Sequence, residues 1–79
     1  MQPQLKIDPE DREIAQMIAN LGSASEIEIQ ARMLKPLKTL RIEIHKLEEE
    51  GLVRRRRDAF KGGYGDALEL TELGYRTIR

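Results

Sequence analysis

Arg54, Arg55, Arg56, Arg57 and Lys61 fall within residues 53–64 against a single acid, Asp58, a local charge of +4. Cationic side chains at that density are the chemistry of polyanion contact, because a polyanion responds to the local face and not to the net charge. A second set stands at helical spacing: Lys38, Arg41, Ile42 and His45 occupy i, i+3, i+4 and i+7, with Glu49 one turn further on. Other chemistries lack their groups. The chain has no Cys, which removes disulfides, thiolate metal sites, iron–sulfur clusters and a cysteine nucleophile together. His45 is the one histidine, so it has no zinc-binding partner of its own kind. There is no Ser–His–Asp set, no GxxxxGK loop and no HExxH helix, and Lys61-Gly62-Gly63 is not followed by the helix start that a phosphate loop needs. Three aromatics (Phe60, Tyr64, Tyr75) are too few for a base-stacking platform. These absences weigh against an enzyme, and no cofactor, metal or small-molecule pocket is expected.

The elements that must position these cations are readable from caps and apolar stripes. Seventy-nine residues leave room for one small domain. Residues 1–7 read as a loose arm. Asp8 is a candidate cap, Pro9 suits the first helical position, and Glu10, Asp11 and Glu13 complement the helix dipole. Ile14, Met17, Ile18 and Leu21 then give one stripe, and Gly22 closes it with positive φ, so a helix is predicted over 9–21. Ser23 with Glu26 and Ser25 with Glu28 both match a capping box. Ala24, Ile27, Ala31 and Leu34 have helical spacing, while 26–29 alternates like a strand. A short extended piece leading into a helix over about 26–34 satisfies both signals. Lys35-Pro36 ends it. The next helix, about 37–50, buries Leu40, Ile44 and Leu47 and stops at Gly51.

Leu52 and Val53 begin a strand that runs through the arginines, and 67–71 is the returning strand across a glycine-rich turn. If Leu52, Leu68 and Leu70 share one core, even positions pair with even ones through an odd-length loop such as 61–63. That register sets Arg55 opposite Glu69, points Arg55 and Arg57 outward, and leaves Arg54 and Arg56 at the core edge. A short closing helix follows over 71–78, weakened by Gly74.

The segment 47–55 (LEEEGLVRR) and the segment 68–74 (LELTELG) resemble the winged-helix DNA-binding domain of small prokaryotic transcription regulators, the broad MarR-, PadR- and ArsR-like group. The likeness covers about 37–76 by motif and 9–36 by pattern. It implies an α+β winged helix-turn-helix in 8–79: a three-helix core, a two-stranded antiparallel wing at about 52–71, and a short C-terminal helix. It makes 37–50 the recognition helix. By position, Lys38 and Arg41 would reach phosphate or a guanine edge, Ile42 a thymine methyl, and His45 backbone or base. Arg55, Arg57 and Lys61 would lie along phosphates or enter a minor groove of double-stranded DNA. About five neutralised phosphates give a log–log salt slope near −4 to −5. A homodimer is expected, since such regulators read two half-sites, with 1–21 and 71–79 as candidate interfaces.

Blander readings stand beside these. Successive arginines on a strand protect an edge and aid solubility. Net charge is zero, −2 over 1–37 and +2 over 38–79, and Glu48-Glu49-Glu50 is an odd neighbour for phosphate. Glu43 is expected to pair with Lys46 or Lys38. A winged helix used as a protein-interaction module is the competing expectation. No apolar run approaches the roughly 18 residues of a membrane span, and the N-terminus lacks a secretory signal, so the expected compartment is the cytoplasm.

Overall fold

A computed structural model describes residues 7–57 and 65–79, in the order α1 (Pro9–Leu21), α2 (Glu26–Met33), α3 (Leu37–Glu49), β1 (Val53–Arg56), β2 (Ala67–Leu70) and α4 (Glu72–Ile78). Element boundaries follow local chemistry. Pro9 opens α1 and Gly22 ends it at φ 83°, a conformation with little cost only for glycine. Asp8 occupies the N-cap position, but its carboxylate accepts no hydrogen bond from the helix N–H groups; that group is drawn to Lys46, 3.0 Å away. Ser25 and Glu28 form a reciprocal capping box at the start of α2. The helix ends on Leu34, a non-glycine residue at φ 57°.

Ile14, Ile18, Ile29, Leu40, Ile44, Leu47, Leu52 and Leu68 are fully buried and form one core between the three long helices and the sheet. On α2 the expected stripe is wrong. Ile29 goes inside with Met33 against it, whereas Ile27 and Leu34 face out. Ala24 is buried, but it belongs to the extended residues before the helix: it exchanges two backbone hydrogen bonds with Leu68, at 3.0 and 2.7 Å. That exchange adds a third extended segment beside β2.

The hairpin register also departs from expectation. β1 and β2 are antiparallel with Val53 opposite Leu70, Arg54 opposite Glu69, Arg55 opposite Leu68 and Arg56 opposite Ala67. Odd residues therefore pair with even ones. The reason is Leu52, which is buried but precedes the strand; its N–H bonds to Leu47 at the end of α3. The alternation starts one residue later, at Val53, and so Arg55 shares the inner face with Val53, Leu68 and Leu70. Arg54 and Arg56 point outward, the reverse of the expected orientation. The loop at 61–63, together with Lys61, lies outside the described residues.

α4 is set by Thr71, whose hydroxyl accepts from the Gly74 N–H at 3.0 Å and donates to the Gly51 carbonyl at 2.6 Å. One side chain thus caps a helix and ties it to the α3–β1 junction. Gly74 is buried in that contact. Arg12 of α1 closes the other end, donating to the carbonyls of Thr77 and Ile78 at 3.2 and 3.0 Å.

Candidate nucleic-acid interface

Burying Leu40, Ile44 and Leu47 turns the opposite side of α3 to solvent, and Lys38, Arg41, Ile42 and His45 stand exposed there in one row. The row is graded in charge. Lys38 makes no ion pair among the described residues. Arg41 lies 3.5 Å from Glu26 of α2. His45 meets Glu49 at 3.0 Å, so the C-terminal part of the row is offset by an acid. The basic end coincides with the N-terminus of α3, where Pro36 supplies no side-chain cap and the first-turn N–H groups add positive potential.

The arginine run divides by face. Arg55 is half-buried and is held by three carboxylates. It donates to Glu48 at 2.8 Å and to Asp66 at 3.3 Å, and it faces Glu26 at 3.7 Å. The Glu48 hydrogen bond, outweighing a desolvation cost, keeps its guanidinium pKa well above the usual range. Arg55 is thus a strut between α3, α2 and the sheet. Arg54 and Arg56 stand on the solvent side and both grip Glu69, at 2.7 and 2.6 Å. These two bonds, Arg54 first, hold the Glu69 carboxyl below its ordinary range. Arg57 is exposed, with no ion pair among the described residues.

Two lysines elsewhere are likewise matched to acids. Asp11 is only 2% exposed, and the Lys46 ammonium lies 2.8 Å from it. Hydrogen bonding to Asp11 and then Asp8 raises the Lys46 pKa. Glu43 pairs with neither Lys46 nor Lys38; it takes Lys35 at 3.2 Å, which also reaches Glu10 at 3.3 Å. These pairs pin the start of α1 to α3.

The structure therefore brings Lys38, Arg41, Ile42 and His45 onto one face and sets Arg55 beside it as a bridging group. Sequence reasoning missed the counter-ions Glu26, Glu48 and Glu69, because the chain of neighbours shows their charge and not their reach. The available signal was the count itself, 14 acids for 14 Lys and Arg. Among the described residues no cluster of His, Asp or Glu is arranged to hold a metal ion, and no helix is long and apolar enough to cross a membrane.

No family model matches the chain, and no curated protein matches it significantly. Solved structures do. A MarR variant from E. coli complexed with operator DNA superposes with a TM-score of 0.85 at 18% identity, covering 91% of this chain and 51% of that one. FabT from Streptococcus pneumoniae in complex with DNA gives 0.84 at 19% identity, covering 92% and 50%. YusO from Bacillus subtilis gives 0.83 at 22% identity, covering 91% and 50%. The chain spans about half the length of each of these structures. What they share with it is the fold: the chain has a winged-helix fold like that of these MarR-type structures.

Proposed function

We propose that the chain binds double-stranded DNA as the reading domain of a transcriptional regulator and is not an enzyme. The observation that carries this reading is the exposed row Lys38–Arg41–Ile42–His45 on α3, opposite that helix's buried face and flanked by the basic hairpin. Two of the structurally similar proteins are seen with DNA. In this reading α3 enters the major groove. Lys38 meets phosphate near the helix N-terminus, Arg41 takes a guanine edge or a phosphate, Ile42 packs on a thymine methyl, and His45 contacts the backbone. Arg57 and Lys61 lie along phosphates. Arg55 serves the same surface as a strut, fixing the hairpin against α3. With Arg55 engaged by carboxylates, about four phosphates remain to be neutralised, and the salt slope falls to about −3 to −4. Two copies would read two half-sites.

Fluorescence anisotropy of a labelled random duplex, titrated at two salt concentrations with Lys38→Ala/Arg41→Ala alongside, tests it. Micromolar binding that weakens steeply with salt and in the variant is the expected result. A protein that leaves the duplex free at low salt sinks the proposal.

One set of residues favours a second reading, a protein-interaction module. Ile27, Leu34 and Ile42 are 65%, 89% and 64% exposed, an apolar content that phosphate contact does not need. Salt-insensitive capture of a protein partner, without duplex binding, would select that reading.

A further inference from the structure

Glu26 is the first residue of α2, yet its carboxylate is shared between the two other parts of the proposed DNA surface. One oxygen lies 3.5 Å from Arg41 Nε on α3 and the other 3.7 Å from Arg55 Nη2 on β1. We propose that Glu26 is the resident counter-ion of the DNA surface, holding Arg41 in the free protein and giving it up to a backbone phosphate on binding. This rests on the DNA-binding reading above, and it names a residue that limits affinity through Arg41.

The two arginines that share Glu26 are held unequally. Both contacts to Glu26 are longer than the 2.7–2.9 Å of a charge-assisted hydrogen bond, so neither holds its arginine firmly. Arg55 has a firmer partner in Glu48 at 2.8 Å and stays in place without Glu26. Arg41 has no other ion pair among the described residues and is 60% exposed, against 22% for Glu26. Arg41 is therefore the arm free to move, and Glu26 is the fixed anion it leaves. An exposed pair of this kind is weak, and a phosphate at hydrogen-bond distance outcompetes it. The exchange carries a cost: once Arg41 has turned to the duplex, Glu26 keeps only Arg55, 3.7 Å away and already engaged by Glu48 and Asp66, and a net negative charge faces the phosphates. It then recruits a salt cation as Arg41 releases one from the DNA, so the Arg41 contact adds little to the salt slope, which drops from the four-phosphate range above to about −3.

Glu26→Gln keeps the size and polarity of the side chain and leaves the Ser25–Glu28 capping box intact. The experiment is duplex anisotropy over a salt series for wild type, Glu26→Gln, Arg41→Ala and the double variant, with thermal melting of each to establish folding. The expected result is about two- to fivefold tighter binding for Glu26→Gln at low salt. Its salt slope should be steeper by about one, and in the Arg41→Ala background that steepening should vanish and the tightening should shrink. A purely structural Glu26 moves the melting temperature without steepening the slope, and that outcome overturns the inference. Wild-type binding with Glu26→Gln equal or weaker overturns it while leaving the DNA reading in place. A wild type that binds no duplex overturns both.

Discussion

Gly74 of α4 packs against the carbonyl of Leu52 so closely that a Cβ in place of its hydrogen would stand 2.2 Å from the oxygen. The neighbour is backbone, held by hydrogen bonds from Thr71 N–H at 3.0 Å and from the Thr71 hydroxyl at 3.3 Å, and it has no way to yield. A glycine that looks like a flaw in a short helix is what lets that helix seat on the α3–β1 junction. Gly74→Ala is expected to lower stability by about 1–3 kcal/mol or more through overpacking, against the usual gain from Gly→Ala in a helix. Urea denaturation checks it; an unchanged midpoint would mean that α4 does not dock here.

Leu34 presents the opposite case. It holds a left-handed conformation at φ 57° while its side chain is almost wholly in water, so it bears a steric cost with little burial in return. Leu34→Gly is expected to raise stability by about 0.5 kcal/mol, the relief of the Cβ clash less the extra freedom of the unfolded chain. The same denaturation series reads it, with Leu37→Gly inside α3 as the destabilising contrast.

Leu47 is fully buried between α3 and the rest of the core. Leu47→Ala should cost about 2–5 kcal/mol from lost transfer energy and the cavity left behind. A melting temperature within a degree of wild type would place this residue outside the core.

Glu69 between Arg54 and Arg56 gives the hairpin a dependence on pH. Its carboxyl is held below the ordinary value of 4.5 in the folded chain. Below that value the unfolded chain binds the proton first, so stability rises with pH there. The contribution is complete above about pH 4.5 and is lost as pH falls through the folded value. Urea midpoints measured from pH 6 down to pH 3 should fall for wild type and fall less for Glu69→Gln. Parallel curves would show that the two arginines do not stabilise the carboxylate.

Much of the fold was legible because its punctuation is local. Pro9 and Gly22 bound α1, Ser25 and Glu28 cap α2, and Gly51 follows α3, each by chemistry confined to one turn. Leu40, Ile44 and Leu47 gave the buried face of α3 and, by subtraction, the exposed row of Lys38, Arg41, Ile42 and His45. The hairpin was misread by one residue because Leu52 has the composition of a strand residue and the position of a junction. That single step exchanged the faces of Arg54, Arg55 and Arg56. On α2, Ile27 and Leu34 kept helical spacing with Ala24, which belongs to the extended segment before the helix. Counter-ions were beyond reach for a different reason: Glu26 and Arg55, or Asp11 and Lys46, meet only after the chain has folded.

The paired amides of Ala24 and Leu68 have a kinetic meaning. They close a loop of about 44 residues that contains α2, α3 and most of the hairpin, an entropic cost that neighbouring contacts do not meet. Helices α1 to α3 can assemble from contacts close in sequence, but this closure needs the returning strand in register. Folding should therefore be slower than that of a bare three-helix bundle of the same length. A chain that has formed its helices without this closure would also leave the extended residues before α2 unpaired with the hairpin.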